Sequence, residues 1–417
     1  MLIRRDTFNL ICLTSLFYLV LIRATNMGVG YPSAQHQLSQ ITFMPQKLMQ
    51  MALLGILLVF LFFSGLSVIK KFKVSLLANL VVLFVVFSIL FSPNLTLALR
   101  YLISVAVVSI PMLLYYQYYG PGVLYDNLVK FLTVVVFLNF VYIIVFPQYG
   151  IMSGVHSGAW RGLFVHKNGA GSFFAVISII FFQKWWFESK RRDVKQLGLF
   201  LICFLMVVMS KSITALLTMV VVVSTFFVIL VVISKPLIRQ KIVLLLFYFV
   251  GLVFSVSLLN VFLHDILYFL GKDPTLTGRT GLWDVLFDLI LDRPLFGYGF
   301  GVFTRPEIMY QYSSAFGWSA KTTHSSYMDL ILGIGIPGSI LTFLWIGKSI
   351  FSAVMAKTLT HRYEQQLAIA VSIITGGLTI ASASSGVLLT NAFTWVLLLS
   401  MILFCHSREI PDESLDV

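Results

Sequence analysis

Cationic side chains and histidines stand together in three short segments of the chain, and they define the chemistry that the sequence could perform. The segments are 160–169, which holds Arg161, His166 and Lys167; 277–283, which holds Arg279; and 321–330, which holds Lys321 and His324. A guanidinium group binds phosphate oxygens as a bidentate fork, and a histidine takes up a proton near neutral pH. These residue types predict a site for a doubly anionic headgroup and for a nucleophile that must be deprotonated.

Each of these residues also has a structural interpretation. Arg161 and Lys167 are cations of the kind that reach from a helix end to lipid headgroups. A lone histidine at a membrane interface is commonly a hydrogen-bonded structural residue, and His166 competes with His324 for the role of base. No Ser-His-Asp order, carboxylate pair or metal-ligand cluster competes with these residues in the segments that the charge distribution, described below, places on the outward side.

Two neighbouring patterns resemble sites but are better explained by structure. Asp284, Asp288 and Asp292 follow one another at intervals of four and would spread over about 12 Å of helix, too far apart for one cation. They therefore predict the solvated face of a helix. The glycine-rich run 294–301 is similar to a dinucleotide fingerprint, but no strand precedes it. We expect its glycines to serve tight turns or close backbone approach.

The elements that position these segments must be membrane-spanning helices. Hydrophobic residues make up 59% and charged residues 11% of the 417-residue chain, whereas soluble domains carry about 25% charged residues. Hydrocarbon leaves every backbone amide to be satisfied within a span, and apolar runs of about 15–22 residues suit helices rather than barrel strands. The fold class is therefore all-α, a polytopic integral membrane protein with a single membrane domain over 1–417 and about twelve transmembrane helices. The predicted spans are 8–22, 46–67, 75–92, 98–116, 128–146, 170–187, 197–210, 213–233, 242–263, 326–346, 366–385 and 387–405.

The distribution of Lys and Arg gives this helical bundle an orientation. If the amino terminus is cytoplasmic, 18 of the 29 Lys and Arg residues fall on the cytoplasmic side and 11 on the other. An excess of cations in cytoplasmic loops is the usual orientation signal, so we predict that both termini are cytoplasmic. The three cationic segments then share the outward side. Most connections are short, but an outward loop covers 264–323 between the ninth and tenth spans, and it contains a short amphipathic helix around 282–290.

Three other features of the sequence are explained by the predicted membrane spans. The net charge of +13 is explained by helix-end cations, so no nucleic acid partner is expected. The three cysteines, Cys12, Cys203 and Cys405, lie in apolar runs without metal-ligand spacing, which predicts neither a disulfide framework nor a zinc site. The first span follows two arginines, as a signal peptide would. No convincing small-residue cleavage site follows it, so we expect a retained helix.

Three sequence blocks resemble the O-antigen ligase and polymerase family. They are R-G-L-F-V-H-K-N at 161–168, G-R-T-G-L-W with R-P-L-F-G-Y-G-F-G at 278–301, and T-H-S-S-Y-M-D-L with G-I-G-I-P-G at 323–338. The resemblance covers roughly residues 130–345, and the large outward loop between spans nine and ten agrees with it. The first third of the chain and the last two spans contribute only hydropathy.

The resemblance implies a glycosyltransferase on the outer face of the bacterial inner membrane. Its donor would be an undecaprenyl-pyrophosphate-linked glycan, and it would need no metal, nucleotide sugar or other cofactor. Arg161 and Arg279 would hold the donor pyrophosphate, with Lys167 and Lys321 as secondary contacts. His324 would be the catalytic base on the acceptor hydroxyl, so inversion at the anomeric carbon is expected.

The resemblance leaves the acceptor open. The Trp-Arg-Gly and His-Lys-Asn block is more similar to exopolysaccharide polymerases, which favours polymerisation of lipid-linked repeat units. The alternative is a ligase that transfers the glycan to lipid A core. A lipid-linked oligosaccharide flippase would bind the same donor. Transporters usually contain two similar halves, however, and the sequence shows no such internal repeat. The expected partners are the lipid-linked donor, the glycan or lipid A-core acceptor, membrane lipids and, as a further candidate, a chain-length regulator.

Overall fold

A computed structural model of the protein describes residues 5–25, 43–64, 75–188, 193–269, 279–304, 309, 322–356 and 361–406. Within these ranges the regular structure is helical, apart from an isolated antiparallel bridge between Ile151 and Trp160. Two parts of the predicted site lie outside the described residues and atoms. They are Lys321 and the side chain of Arg279, whose backbone is described.

The main helices, with one exception, form a bundle around a shared hydrophobic core. In chain order they are α1 (Arg5–Ala24), α2 (Phe43–Ser64), α3 (Leu76–Ser88), α4 (Leu95–Val145), α5 (Lys167–Gln183), α6 (Val194–Met209), α7 (Ile213–Ile233), α8 (Ile238–Phe269), α9 (Arg279–Asp292), α10 (Ser326–Met355), α11 (His361–Ala383) and α12 (Phe393–His406). The exception is α9, which packs in a second, smaller cluster against α10. Within the described ranges the all-α prediction is confirmed.

Several of these helices have the length and composition of membrane spans. In the described part of the chain, six helices are long and apolar enough to cross a bilayer, in α1, α4, α5, α7, α10 and α11, and four shorter apolar helices accompany them. Phenylalanines point outward from the bundle, and Phe62 and Phe247 are each 81% exposed. Apolar surface of this kind is stable against lipid rather than water. The number of about twelve spans and the orientation of the bundle stay predictions.

Helix α4 is a helical hairpin rather than one continuous rod. A straight helix of its 51 residues would be about 77 Å long, more than twice the roughly 30 Å of the hydrocarbon core. Gly120 interrupts it with a left-handed φ of 77°. Asn127 Nδ2 donates to Tyr115 Oη at 2.8 Å, although a straight helix would separate these residues by about 18 Å. The two arms coincide with the predicted spans 98–116 and 128–146.

The amphipathic helix predicted between spans nine and ten is present as α9. Its apolar stripe is buried, with Leu282 and Leu286 fully enclosed, whereas the three aspartates of the opposite stripe are exposed. The preceding helix α8 continues to Phe269, so it extends past residue 264, where the sequence placed the start of the loop. The location of this segment outside the membrane stays a prediction.

The glycine-rich run fits against a break in α10. Gly335 has a φ of 73°, which interrupts α10 and frees backbone groups within it. Tyr298 N donates to Leu332 O at 2.7 Å, and Ile336 N donates to Pro294 O at 2.8 Å. A broken helix in a membrane requires such replacement partners. The expectation that the glycines serve close backbone approach is therefore confirmed.

We predict that Gly301→Ala destabilises the protein by roughly 3 kcal/mol, because the change adds left-handed strain to overpacking. Gly301 has a φ of 73°, and a Cβ atom there would fall on the ring of Tyr101. Thermal unfolding in detergent measures the loss. Gly347→Ala is the matched control, because a Cβ atom at this α10 position meets nothing within 4 Å. Equal unfolding temperatures for the two variants would contradict the packing argument.

The last predicted span begins later than the sequence indicated. The prediction was a helix over 387–405, whereas α12 begins at Phe393 and residues 384–392 form an irregular loop. This 384–392 loop is largely enclosed, with Val387 and Leu388 exposed by only 3% and 4%. Gly386 and Leu389 have positive φ values of 78° and 48°, which a helix excludes. The loop's polar groups bond to the start of α10 instead.

Candidate functional site

His324 occupies a turn directly before α10. Its backbone has a left-handed φ of 56°, which is uncommon outside glycine and several-fold more frequent for histidine than for most other residues. The flanking Thr323 and Ser325 are buried, at 0% and 5% exposure, whereas His324 is half-buried. The turn Thr323–Ser325, called the His324 turn below, therefore holds the histidine between two buried residues. Unusual backbone held in place by its surroundings is common at functional sites.

Hydrogen bonds from Thr323 define this turn. Its Oγ1 accepts from Ser325 N at 3.2 Å, so the hydroxyl closes a turn around His324. The same Oγ1 lies 2.6 Å from Asp329 Oδ1, to which it donates. Asp329 Oδ2 accepts from Gly386 N at 3.3 Å, which connects the turn to the 384–392 loop. Neither Asp329 nor this loop belongs to the site that the sequence predicted.

The 384–392 loop makes further contacts with neighbouring helices. Ser326 donates from its N and its Oγ to Ser384 O, at 3.0 and 2.8 Å, and Ser326 Oγ accepts from Val387 N at 2.8 Å. At the other end of the loop, Arg23 Nη1 of α1 donates to Asn391 O at 3.1 Å. The Ser-Ala-Ser-Ser-Gly composition at 382–386 is a loop signal that the sequence carried.

The backbone of Arg279 lies on the helix that contacts the His324 turn. Trp283 Nε1 donates to Thr323 O at 2.9 Å, which fixes α9 against the residue preceding His324. Arg279 is the first residue of α9 and stands four positions before Trp283, so the two positions share one face of the helix. The structure thus brings the Arg279 and His324 segments together.

Arg161 is almost fully buried, with 5% exposure, so it does not extend to the lipid surface. Its Nε donates to Tyr149 O at 2.8 Å, and its Nη1 donates to Val165 O at 3.2 Å. Burial lowers the pKa of the Arg161 guanidinium, and Tyr142 opposes that shift. These contacts give Arg161 a clear structural role, because it holds together the loop over 151–166 that contains it.

Lys167 and Lys211 join that loop to the turn between α6 and α7. Lys167 Nζ donates to Lys211 O at 3.1 Å, and Lys211 Nζ donates to Ser157 O at 3.1 Å. Trp160 N also donates to Met209 O at 2.9 Å. The sequence between Asp126 and Glu188 contains no acidic residue. This part of the bundle therefore has a concentrated positive charge.

His166 is poorly suited to act as a base near neutral pH. It caps α5, and its Nδ1 accepts from Asn168 N at 3.2 Å. Burial lowers its pKa to about 4, with further contributions from His156, Lys167 and Arg161. A base with so low a pKa has little affinity for a proton at pH 7. These properties favour His324 over His166, which the sequence had left as a competitor.

The low pKa of His166 predicts an acid-dependent loss of stability. The unfolded chain binds a proton at this residue near pH 6.5, whereas the folded chain resists it down to about pH 4. The unfolded state therefore binds more protons between these values, and folding stability falls as the pH is lowered through that window. We predict that the wild-type unfolding temperature drops more between pH 7 and pH 5 than that of His166→Asn. Asn can still cap α5, but it takes up no proton. Equal drops in unfolding temperature for the two proteins would show that another group causes the acid-dependent loss of stability.

An aromatic contact series connects the 151–166 loop to the 384–392 loop. Phe164 lies against Phe173 of α5, and Phe173 lies against Phe393, the residue that directly follows the 384–392 loop. Both pairs of ring centroids are 5.0 Å apart. The Arg161 segment and the His324 turn consequently lie at the same end of the helical bundle. Which side of the membrane this end faces stays a prediction.

The fold and the site together define a helical integral membrane protein with a cationic, histidine-containing end. Residues 198–343 match the protein family described as O-Antigen ligase, which supports the resemblance seen in the sequence. The matched segment runs from α6 into α10 and contains both Arg279 and His324, whereas Arg161 and Lys167 precede it. No curated protein matches the chain.

Proposed function

We propose that this protein transfers a glycan from an undecaprenyl-pyrophosphate-linked donor to a sugar hydroxyl, and that it polymerises repeat units of a surface polysaccharide or exopolysaccharide. The observation that carries this proposal is the O-Antigen ligase match, because the matched segment contains the His324 turn and the helix that begins at Arg279. The reaction takes place at the outer face of the bacterial inner membrane. Both termini are cytoplasmic, and no metal or other cofactor takes part.

His324 acts as the general base in this proposal. The acceptor hydroxyl gives its proton to the imidazole while its oxygen forms a bond to the anomeric carbon of the donor. The bond from that carbon to the pyrophosphate oxygen breaks, and lipid pyrophosphate leaves with the bonding electrons. Because this is a single displacement, the configuration at the anomeric carbon inverts. The half-buried position of His324 on a fixed turn supports the assignment, since a base must be held within hydrogen-bond reach of the hydroxyl.

Cationic residues stabilise the leaving pyrophosphate. Arg279 begins α9, the helix that Trp283 holds against the His324 turn, and the backbone amides at the start of a helix also favour an anion. Arg161, Lys167 and Lys321 complete the proposed set. Charge on the pyrophosphate grows as the glycosidic bond breaks, so fixed cations act most strongly in the transition state. The backbone bonds of Arg161 are consistent with a role in shaping this positive region.

The family description favours a second candidate, a ligase that transfers the glycan to lipid A core. The two reactions share one donor and one mechanism and differ in the acceptor. The chain's Trp-Arg-Gly and His-Lys-Asn block supports the polymerase, because it resembles exopolysaccharide polymerases more closely. Membrane lipids surround the protein in either case, and a chain-length regulator is a partner only of the polymerase.

The test incubates purified protein with a lipid-pyrophosphate repeat unit, with and without a lipid A-core acceptor. A ladder of repeat units formed without the core lipid supports the polymerase. A single product that requires the core lipid supports the ligase. Donor that crosses the membrane of reconstituted vesicles without forming a new glycosidic bond would instead identify a transporter and overturn the proposal. His324→Ala in the same assay controls for background transfer.

A further inference from the structure

A carboxylate beneath the His324 turn has no assigned role in the proposed reaction. Asp329 lies in the first turns of α10, and both of its oxygens are engaged, one by the Thr323 hydroxyl and the other by Gly386 N. We infer that Asp329 is a positioning residue, which holds His324 where it can take the proton of the acceptor hydroxyl. This inference rests on the proposed function for its catalytic meaning and on the hydrogen bonds for its geometry.

The Thr323 hydroxyl transmits the effect of Asp329 to both sides of His324. A hydroxyl has one proton to donate and two lone pairs to accept with. The hydroxyl has two acceptors within reach, Asp329 Oδ1 at 2.6 Å and Ser325 O at 2.8 Å, and the shorter contact is the one to the carboxylate. The same oxygen accepts from Ser325 N at 3.2 Å and lies 2.9 Å from Ser385 Oγ. The residues before and after His324 are thus held through one oxygen that the carboxylate orients.

Asp329 also joins the turn to an element that is distant in sequence, the 384–392 loop. Gly386 N donates to its Oδ2, and the same loop is held by Arg23 of α1 through Asn391 O. On the opposite side, Trp283 of α9 donates to Thr323 O. The His324 turn is therefore held between the 384–392 loop and the helix of Arg279. A change at Asp329 should alter the relative position of base and pyrophosphate contacts.

A purely structural role for Asp329 makes different predictions. A carboxylate near the start of a helix stabilises the helix through its interaction with the helix dipole. In that case the loss of Asp329 would lower protein stability without a specific effect on the rate of glycan transfer. A positioning role lowers kcat while the KM for the donor stays near the wild-type value, because donor binding does not require the base. Misplacement of a reacting group by about 1 Å can reduce the rate roughly 100-fold.

The kinetic test uses Asp329→Asn, Thr323→Val and the double variant, purified as full-length protein. We expect each single variant to lower kcat by about 10- to 100-fold. We expect the double variant to be no slower than the slower single one, because both changes interrupt one hydrogen-bond connection. Thr342→Val is the matched control. Thr342 is as fully buried as Thr323, but it lies within α10 and its hydroxyl donates to Gly338 O of the same helix, so its loss should leave kcat unchanged.

A second measurement reports on geometry without requiring activity. Diethyl pyrocarbonate modifies accessible, neutral histidines, and peptide mass spectrometry gives the rate at each one. Asp329→Asn should change the rate at His324 by at least about threefold, since the turn is no longer held in one arrangement. The rate at His156, which is exposed in the 151–166 loop, should remain the same and serves as the internal reference.

The two measurements separate this inference from the proposed function. A changed modification rate together with reduced kcat supports the positioning role. Unchanged modification and unchanged kcat in folded Asp329→Asn overturn it, even where His324→Ala is inactive. If wild-type protein transfers no glycan but Asp329→Asn changes the modification rate at His324, the proposed function fails and the positioning geometry stands. Multiplicative kinetic losses in the double variant also overturn the inference, because they show two independent effects.

Discussion

His324→Ala should lower glycan transfer by about 10²- to 10⁴-fold, the contribution typical of a general base, while protein abundance stays at the wild-type level. Without the imidazole, no base takes the proton of the attacking sugar hydroxyl when the new glycosidic bond forms. The effect should appear in kcat, because the donor is bound through its pyrophosphate rather than through the imidazole. Quantification of labelled polymer from purified variants at matched protein concentration measures the loss.

Two further substitutions isolate the base function from the backbone. His324→Asn preserves a side chain that tolerates the left-handed φ of 56° and can hydrogen-bond, but it cannot take up a proton at neutral pH. It should be as inactive as His324→Ala. His406→Ala, at the opposite end of α12 from the 384–392 loop, should retain wild-type transfer. Full-length polymer from His324→Asn would exclude His324 as the base.

Much of the bundle could be predicted because its helices depend on local hydropathy. Apolar runs in a membrane must form helices, which satisfy every backbone amide within the run. The stripe of Leu282 and Leu286 likewise predicted which face of α9 is buried, because helical periodicity places these residues together. The glycine run also signalled close approach, since only glycine fits the positions against Ser92, Tyr101 and Leu332.

The 384–392 loop could not be predicted from the same information. Val387, Leu388 and Leu389 are as apolar as residues of a span, so hydropathy does not distinguish this loop from a helix. Its conformation depends on bonds to Ser326 and Asp329, which lie about sixty residues earlier in the chain. Such partners are invisible to any local pattern.

The candidate site was likewise predictable from its residue types but not in its tertiary contacts. Residue types indicated phosphate binding and proton transfer, but they did not reveal that Arg161 is enclosed and bonded to backbone carbonyls. Asp329 carried one sequence signal, because it is the only acidic residue of α10. An ionisable group in a membrane span is a reason to suspect function. Its connection to His324 required the fold.

Arg279→Lys should reduce kcat/KM for the lipid-pyrophosphate donor by about 100-fold. Lysine keeps the positive charge, but an ammonium group is a point charge and does not reproduce the planar fork that pairs with two phosphate oxygens. The larger part of the loss should fall on kcat, because the pyrophosphate gains charge as the glycosidic bond breaks. Initial rates over a range of donor concentrations separate the two constants.

Arg293→Lys provides the matched comparison for this effect, because Arg293 directly follows the other end of α9. Its guanidinium is exposed, donates to Phe91 O at 3.4 Å and lies 4.6 Å from the ring centroid of Tyr298. The same chemical change at the other end of this helix should therefore leave kcat/KM within about twofold of wild type. If both variants lose activity equally, the loss reflects the stability of α9. If Arg279→Lys retains wild-type turnover, the bidentate role of Arg279 is wrong and the donor pyrophosphate is held by the other proposed cations.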